Sequence, residues 1–112
     1  MNTHPLYNQL SVQEVAAMRE RNELFLLIDV REPEEYAIAR IDDAKLHPMS
    51  MSFDWVTGID RDTTIVVMCH HGMRSAHVAA TLTQRFGFKN VSNMSGGIDA
   101  WSQLVDATIP RY

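Results

Sequence analysis

The sequence predicts an α/β domain with a mainly parallel central sheet and helices on both of its faces. Two observations lead there. The segments 24–28 and 64–68 are short, continuous apolar runs, the pattern of parallel strands covered on both sides rather than of strands with one wet face. Segments with helical starts and helical spacing separate these runs and follow them, so strands alternate with helices along the chain. In a sheet of this kind the ligand site lies at the carboxyl ends of the strands.

Each element has a local reason. Ser11 and Glu14 stand at capping-box spacing, which predicts a helix running to about Arg21. The apolar run 24–28 is the first buried strand. Pro33 suits the first turn of a short helix through Tyr36, where its missing N–H costs nothing. Residues 44–46 form a short strand, 51–56 a brief helix and 64–68 a second buried strand. The stretch 75–86 reads as a helix, with Val78, Leu82 and Phe86 at four-residue spacing. Residues 89–93 make the last strand, and the pair Gly96-Gly97 turns tightly into a closing helix around the core anchor Trp101.

With 112 residues the chain is expected to form one domain over 1–112, with its core between about 11 and 110. A domain of that length buries roughly two-thirds of its unfolded surface and has no need of disulfides. Hydrophobic residues make up 46% and charged residues 21% of the chain, an ordinary globular composition without repeats or low-complexity runs. The apolar stretches fall short of the roughly 20 residues a membrane span requires. Residues 1–7 lack the basic start and apolar core of a secretion signal. The expectation is a cytoplasmic protein with no membrane partner, and the unpaired cysteine agrees with that compartment. A net charge of −4 opposes a nucleic-acid partner, which would need a basic face.

Cys69 is the only cysteine and opens the run Cys69-His70-His71-Gly72-Met73-Arg74-Ser75, between a strand and a helix. A lone cysteine at a strand end is usually a small buried hydrophobe. Its neighbours argue otherwise. Gly72 permits a left-handed turn that folds successive amides inward, and the following helix adds about half an elementary charge at its N-terminus. With Arg74 at the far end, such a loop favours thiolate over thiol, and His70, His71 and Arg74 make it locally positive on an acidic protein.

Three motifs together resemble the rhodanese family of sulfurtransferases. Asp29-Val30-Arg31-Glu32-Pro33-Glu34-Glu35-Tyr36 resembles its first signature, Cys69 to Ser75 its active-site loop, and Ser95-Gly96-Gly97-Ile98-Asp99-Ala100-Trp101 its C-terminal signature. All three stand in order, and the match runs from about Ser11 to Pro110. The resemblance implies a single rhodanese-like domain with Cys69 catalytic and His70, His71, Gly72, Met73 and Arg74 as the substrate-binding loop. It implies a small anionic sulfur donor such as thiosulfate, a persulfide on Cys69, and no cofactor. It also implies that Arg74 contacts the donor and that Asp29 and Arg31 form a supporting ion pair. Because the chain has no second cysteine, the acceptor is external: a thiol, cyanide or a protein. The chain departs from the family after Tyr36, where Ala39-Arg40-Ile41 and Asp43-Ala44 replace glycine-containing motifs. Asp43 is expected to take the positive φ of the turn glycine.

Two alternatives use the same fold. Phosphatase or arsenate-reductase chemistry employs a cysteine loop closed by arginine, but that loop is one residue longer than the present one. A non-catalytic sulfur-relay or docking module would have less reason to keep Cys69, Gly72 and Arg74. Metal binding is not expected from Cys69, His70, His71 and His77, since adjacent residues do not converge on one ion and the spacing fits no usual ligand pattern. His4 and His47 read as incidental, Glu32, Glu34 and Glu35 as complements to a helix dipole, and the seven methionines as gap fillers.

Overall fold

The computed structural model describes residues 7–112; His4 and the rest of the N-terminal stretch through Leu6 lie outside the described residues. Five parallel strands form one sheet: β1 (Asn8–Leu10), β2 (Leu26–Asp29), β3 (Lys45–Leu46), β4 (Thr64–Met68) and β5 (Asn90–Met94). Their spatial order is β1-β5-β4-β2-β3, which puts β4 at the centre. Three helices connect them, α1 (Val12–Glu20), α2 (Pro33–Ile38) and α3 (Met73–Gln84), and α4 (Gly97–Leu104) follows β5.

Side chains alternate across β4 and divide the core in two. Val66 and Met68 pack with Val12 and Val15 of α1 and with Ile98 and Trp101 of α4. Ile65, Val67 and Cys69 face the other way, toward Val78, Ala79 and Leu82 of α3. Both faces are therefore covered, as the continuous apolar runs predict. Burying such a strand wholly on both sides is the main stabilising term, at roughly 1.5–3 kcal/mol for each large aliphatic side chain.

The local signals are visible in atomic detail. The Ser11 hydroxyl accepts from the Glu14 amide and the Glu14 carboxylate accepts from the Ser11 amide, each at 3.0 Å. Asp43 has φ of 73°, the backbone of the turn glycine it was expected to replace. Trp101 is buried between α4 and the sheet.

Several elements differ from expectation. The first apolar run becomes strand only from Leu26, and Leu24 is 97% exposed: hydrophobicity marks a strand, but sheet pairing with β4 begins two residues later. The expected helix at 51–56 contracts to one 3-10 turn, Asp54–Val56. The α3 helix starts at Met73, so Met73 and Arg74 belong to its first turn rather than to the loop. The short β1 was not anticipated; it is a largely exposed edge strand without an apolar pattern, held by pairing Asn8 to Ser92 and Leu10 to Met94.

Candidate active site

Cys69 follows the last residue of β4, at the carboxyl end of the central strand, and is 1% exposed. Past it the chain must turn at once into α3. Gly72 makes the turn with φ of 104°, and a Cβ there would sit 3.2 Å from the Gly96 amide nitrogen. Among the described residues the Cys69 Sγ takes three donors: the Gly72 amide at 3.1 Å, the Ser75 amide at 3.4 Å and the Ser75 hydroxyl at 3.3 Å. The amides of His71, Met73 and Arg74 have no protein acceptor among the described residues. Two of these belong to the first turn of α3, whose N–H groups have no carbonyl one turn back.

Three of the loop's carbonyls are bound away from the sulfur. The Ile98 and Asp99 amides, in the first turn of α4, donate to the Cys69 and His70 carbonyls at 2.9 and 3.1 Å. The Asn93 side-chain amide donates to the Gly72 carbonyl at 3.1 Å and to the Gln9 Oε1 at 3.1 Å. With its nitrogen so engaged, Asn93 turns Oδ1 toward the Ser75 hydroxyl, 2.5 Å away. That hydroxyl has one proton and two acceptors, Asn93 and the sulfur. Ser75 and Asn93 are both buried, and sequence reading did not pick them out as parts of the site. Ser75 closed the quoted loop and was available as a signal. Asn93 had none, because only the pairing of β5 with β4 brings it there.

The expected binding residues are spread around the sulfur in different roles. Gly72 supplies an amide to it. Met73, in the first turn of α3, is 83% exposed. The His70 ring stacks on Tyr112, with centroids 3.9 Å apart and planes 6° from parallel, and its Nε2 is buried without a hydrogen-bond partner. Burial, and next the neighbouring His71, hold the His70 pKa below that of ordinary histidine, so it is neutral at pH 7. His71 is exposed, its Nδ1 3.9 Å from an Asp99 oxygen.

The Arg74 guanidinium is engaged with Glu35, NH1 to Oε1 at 2.6 Å and NH2 to Oε2 at 2.9 Å. Glu35 also accepts from the Tyr112 hydroxyl at 2.8 Å and from the Glu32 amide at 3.1 Å. The Arg74 hydrogen bonds above all hold the Glu35 pKa down to about 2, against partial burial. In return Glu35 raises Arg74 above the usual arginine range, with a smaller contribution from nearby Cys69. Tyr112 is pushed up to about 12, chiefly by burial. Its hydroxyl also accepts from Arg31 at 2.8 Å. Arg31 and Asp29 form a fully buried ion pair at 2.7 Å, as the motif implied, and the remaining Arg31 donors reach the Ala39 and Glu35 carbonyls. This network ties β2, α2 and the C-terminal residues to the first turn of α3.

Comparison with known proteins agrees with this fold. The model of the rhodanese-like domain matches residues 11–104. A rhodanese-like/PpiC domain-containing chloroplastic protein of Arabidopsis thaliana is 44% identical over 92 residues, covering 77% of this chain and 30% of that protein. A sulfurtransferase of Allochromatium vinosum is 33% identical over 98 residues, covering 88% of this chain and 91% of the relative. The crystal structure of a rhodanese-related protein from Thermoplasma volcanium superposes with a TM-score of 0.73 at 28% identity, covering 87% of this chain and 92% of that one. The chain thus spans under a third of the length of several curated relatives and nearly all of others. It belongs to the rhodanese-like domain family.

Proposed function

We propose that the protein is a sulfurtransferase that moves a sulfane sulfur from a donor such as thiosulfate to an external thiophilic acceptor through a persulfide on Cys69. The observation that supports this best is the sulfur's position at the focus of the Gly72 and Ser75 donors, with the amides of His71, Met73 and Arg74 nearby in sequence and without a protein acceptor among the described residues. The bound donors stabilise the thiolate. The free amides are suited to receive the extra sulfur and the charge that arrives with it.

In the first half-reaction the Cys69 thiolate attacks the outer sulfur of thiosulfate. A new sulfur–sulfur bond forms, the old one breaks, and its electron pair leaves with sulfite. In the second, a thiol, cyanide or protein nucleophile attacks the outer sulfur of the persulfide and the Cys69 thiolate leaves. The acceptor is external because Cys69 is the only cysteine. No general base is needed once the thiolate is present. Among the described residues no helix is long and apolar enough to cross a membrane.

End-point intact-mass measurement after incubation with excess thiosulfate tests the proposal. The wild-type chain is expected to gain one sulfur that cyanide then removes, and Cys69→Ser to gain none while melting like the wild type. A folded Cys69→Ser protein that still loads sulfur would refute the mechanism.

A further inference from the structure

The cations around the Cys69 loop are matched by carboxylates. Both terminal nitrogens of Arg74 are held by the two oxygens of Glu35, and Arg31 is buried against Asp29. Arg111 bonds Asp99 at 2.9 Å, and His71 faces the same carboxylate. At the start of α3 the apolar Met73 is exposed. The mouth is therefore close to electrically balanced, and its positive field comes mainly from backbone amides.

We infer that Glu35 is a specificity-determining residue: by engaging Arg74 it disfavours dianionic thiosulfate and favours donors whose sulfur rides on a thiol, R–S–SH. The inference rests on the sulfur-transfer reading above. Charge decides between the donors. With thiosulfate, a thiolate and a dianion bring three negative charges together, and the products are an anionic persulfide and sulfite. With a persulfide the total is two negative charges when the donor is ionised and one when it carries its proton, fewer than three in either case. The thiolate attacks the outer sulfur of the protonated form, the donor's sulfur–sulfur bond breaks, its electron pair leaves on R–S⁻, and the proton stays with the transferred sulfur. No oxidant or reductant is consumed. An unpaired guanidinium would offset part of the repulsion in the thiosulfate reaction, since charges within a few ångströms interact strongly at a partly desolvated site. Glu35 cancels that attraction. It is not free to swing aside, because the Tyr112 hydroxyl and the Glu32 amide also hold it.

The test compares initial rates of sulfur loading on Cys69 from thiosulfate and from cysteine persulfide, in the wild type and in Glu35→Gln. Glutamine keeps an acceptor for Arg74 and removes the charge. The thiosulfate-to-persulfide rate ratio is expected to rise about fivefold or more in Glu35→Gln; an unchanged or lower ratio overturns the inference. Should that variant not fold, wild-type salt dependence decides. A balanced mouth predicts that the thiosulfate rate does not fall between about 20 and about 500 mM NaCl, whereas an effective cation would be screened over that range and the rate would drop. If neither donor loads the wild-type protein, the sulfur-transfer reading itself fails. If thiosulfate loads it but the ratio and salt responses go the other way, only the role of Glu35 fails.

Discussion

Gly97 lies directly against the carbonyl of Cys69: a Cβ on Gly97 would stand 2.4 Å from the carbonyl oxygens of both Cys69 and His70. The same two oxygens accept the Ile98 and Asp99 amides, so the close approach at Gly97 is what lets α4 hold the loop's carbonyls outward. Gly97 also has φ of 60°, where an L side chain costs about 1–2 kcal/mol even without a clash. Gly97→Ala is expected to destabilise the fold by about 2 kcal/mol or more by urea titration and to slow sulfur loading beyond what its unfolded fraction explains.

Ser75 has one proton to share. Its hydroxyl serves either Asn93 or the sulfur, so donating to the sulfur means giving up Asn93, and the net help is smaller than an unshared charge-assisted bond of about 1.5–3 kcal/mol. Ser75→Ala is expected to slow sulfur loading at pH 7 about three- to tenfold while melting close to the wild type. A deficit no larger than its unfolded fraction explains would mark Ser75 as a packing residue only.

The buried pair Asp29–Arg31 predicts an asymmetric response to mutation. Asp29→Ala leaves a guanidinium with no exposed surface and no counter-charge, a change typically costing about 3–5 kcal/mol. Replacing both members with apolar residues of similar size is expected to cost less than the single substitution, measured by chemical denaturation of all three proteins.

Acid stability should follow Glu35. Its pKa is depressed from 4.5 to about 2 in the folded protein, so folding favours its ionised form. The stabilisation is fully present above about pH 4.5 and is lost as pH falls toward about 2. Asp99, lowered chiefly by Arg111, acts in the same direction. The melting temperature is expected to fall across this window, and Glu35→Gln to flatten the fall, by calorimetry at several pH values.

The sequence by itself determined the backbone plan. Continuous apolar runs marked β2 and β4, the Ser11–Glu14 box began α1, and Asp43 could be assigned a turn because each signal depends on residues a few positions apart. It also singled out Cys69 as a candidate nucleophile, because its position between a strand and a helix is a local fact. The tertiary structure decided the partners of the polar side chains. Glu35 looked like a dipole complement until the sheet order brought α2 beside the first turn of α3 and set it against Arg74, 39 residues away. Asn93 reaches the loop only because β5 lies beside β4, and Gln9 reaches Asn93 only because the unanticipated β1 lies beside β5. Hydrophobic periodicity encodes which face of an element is buried, but a hydrogen bond or ion pair between distant segments requires coordinates that no local pattern contains.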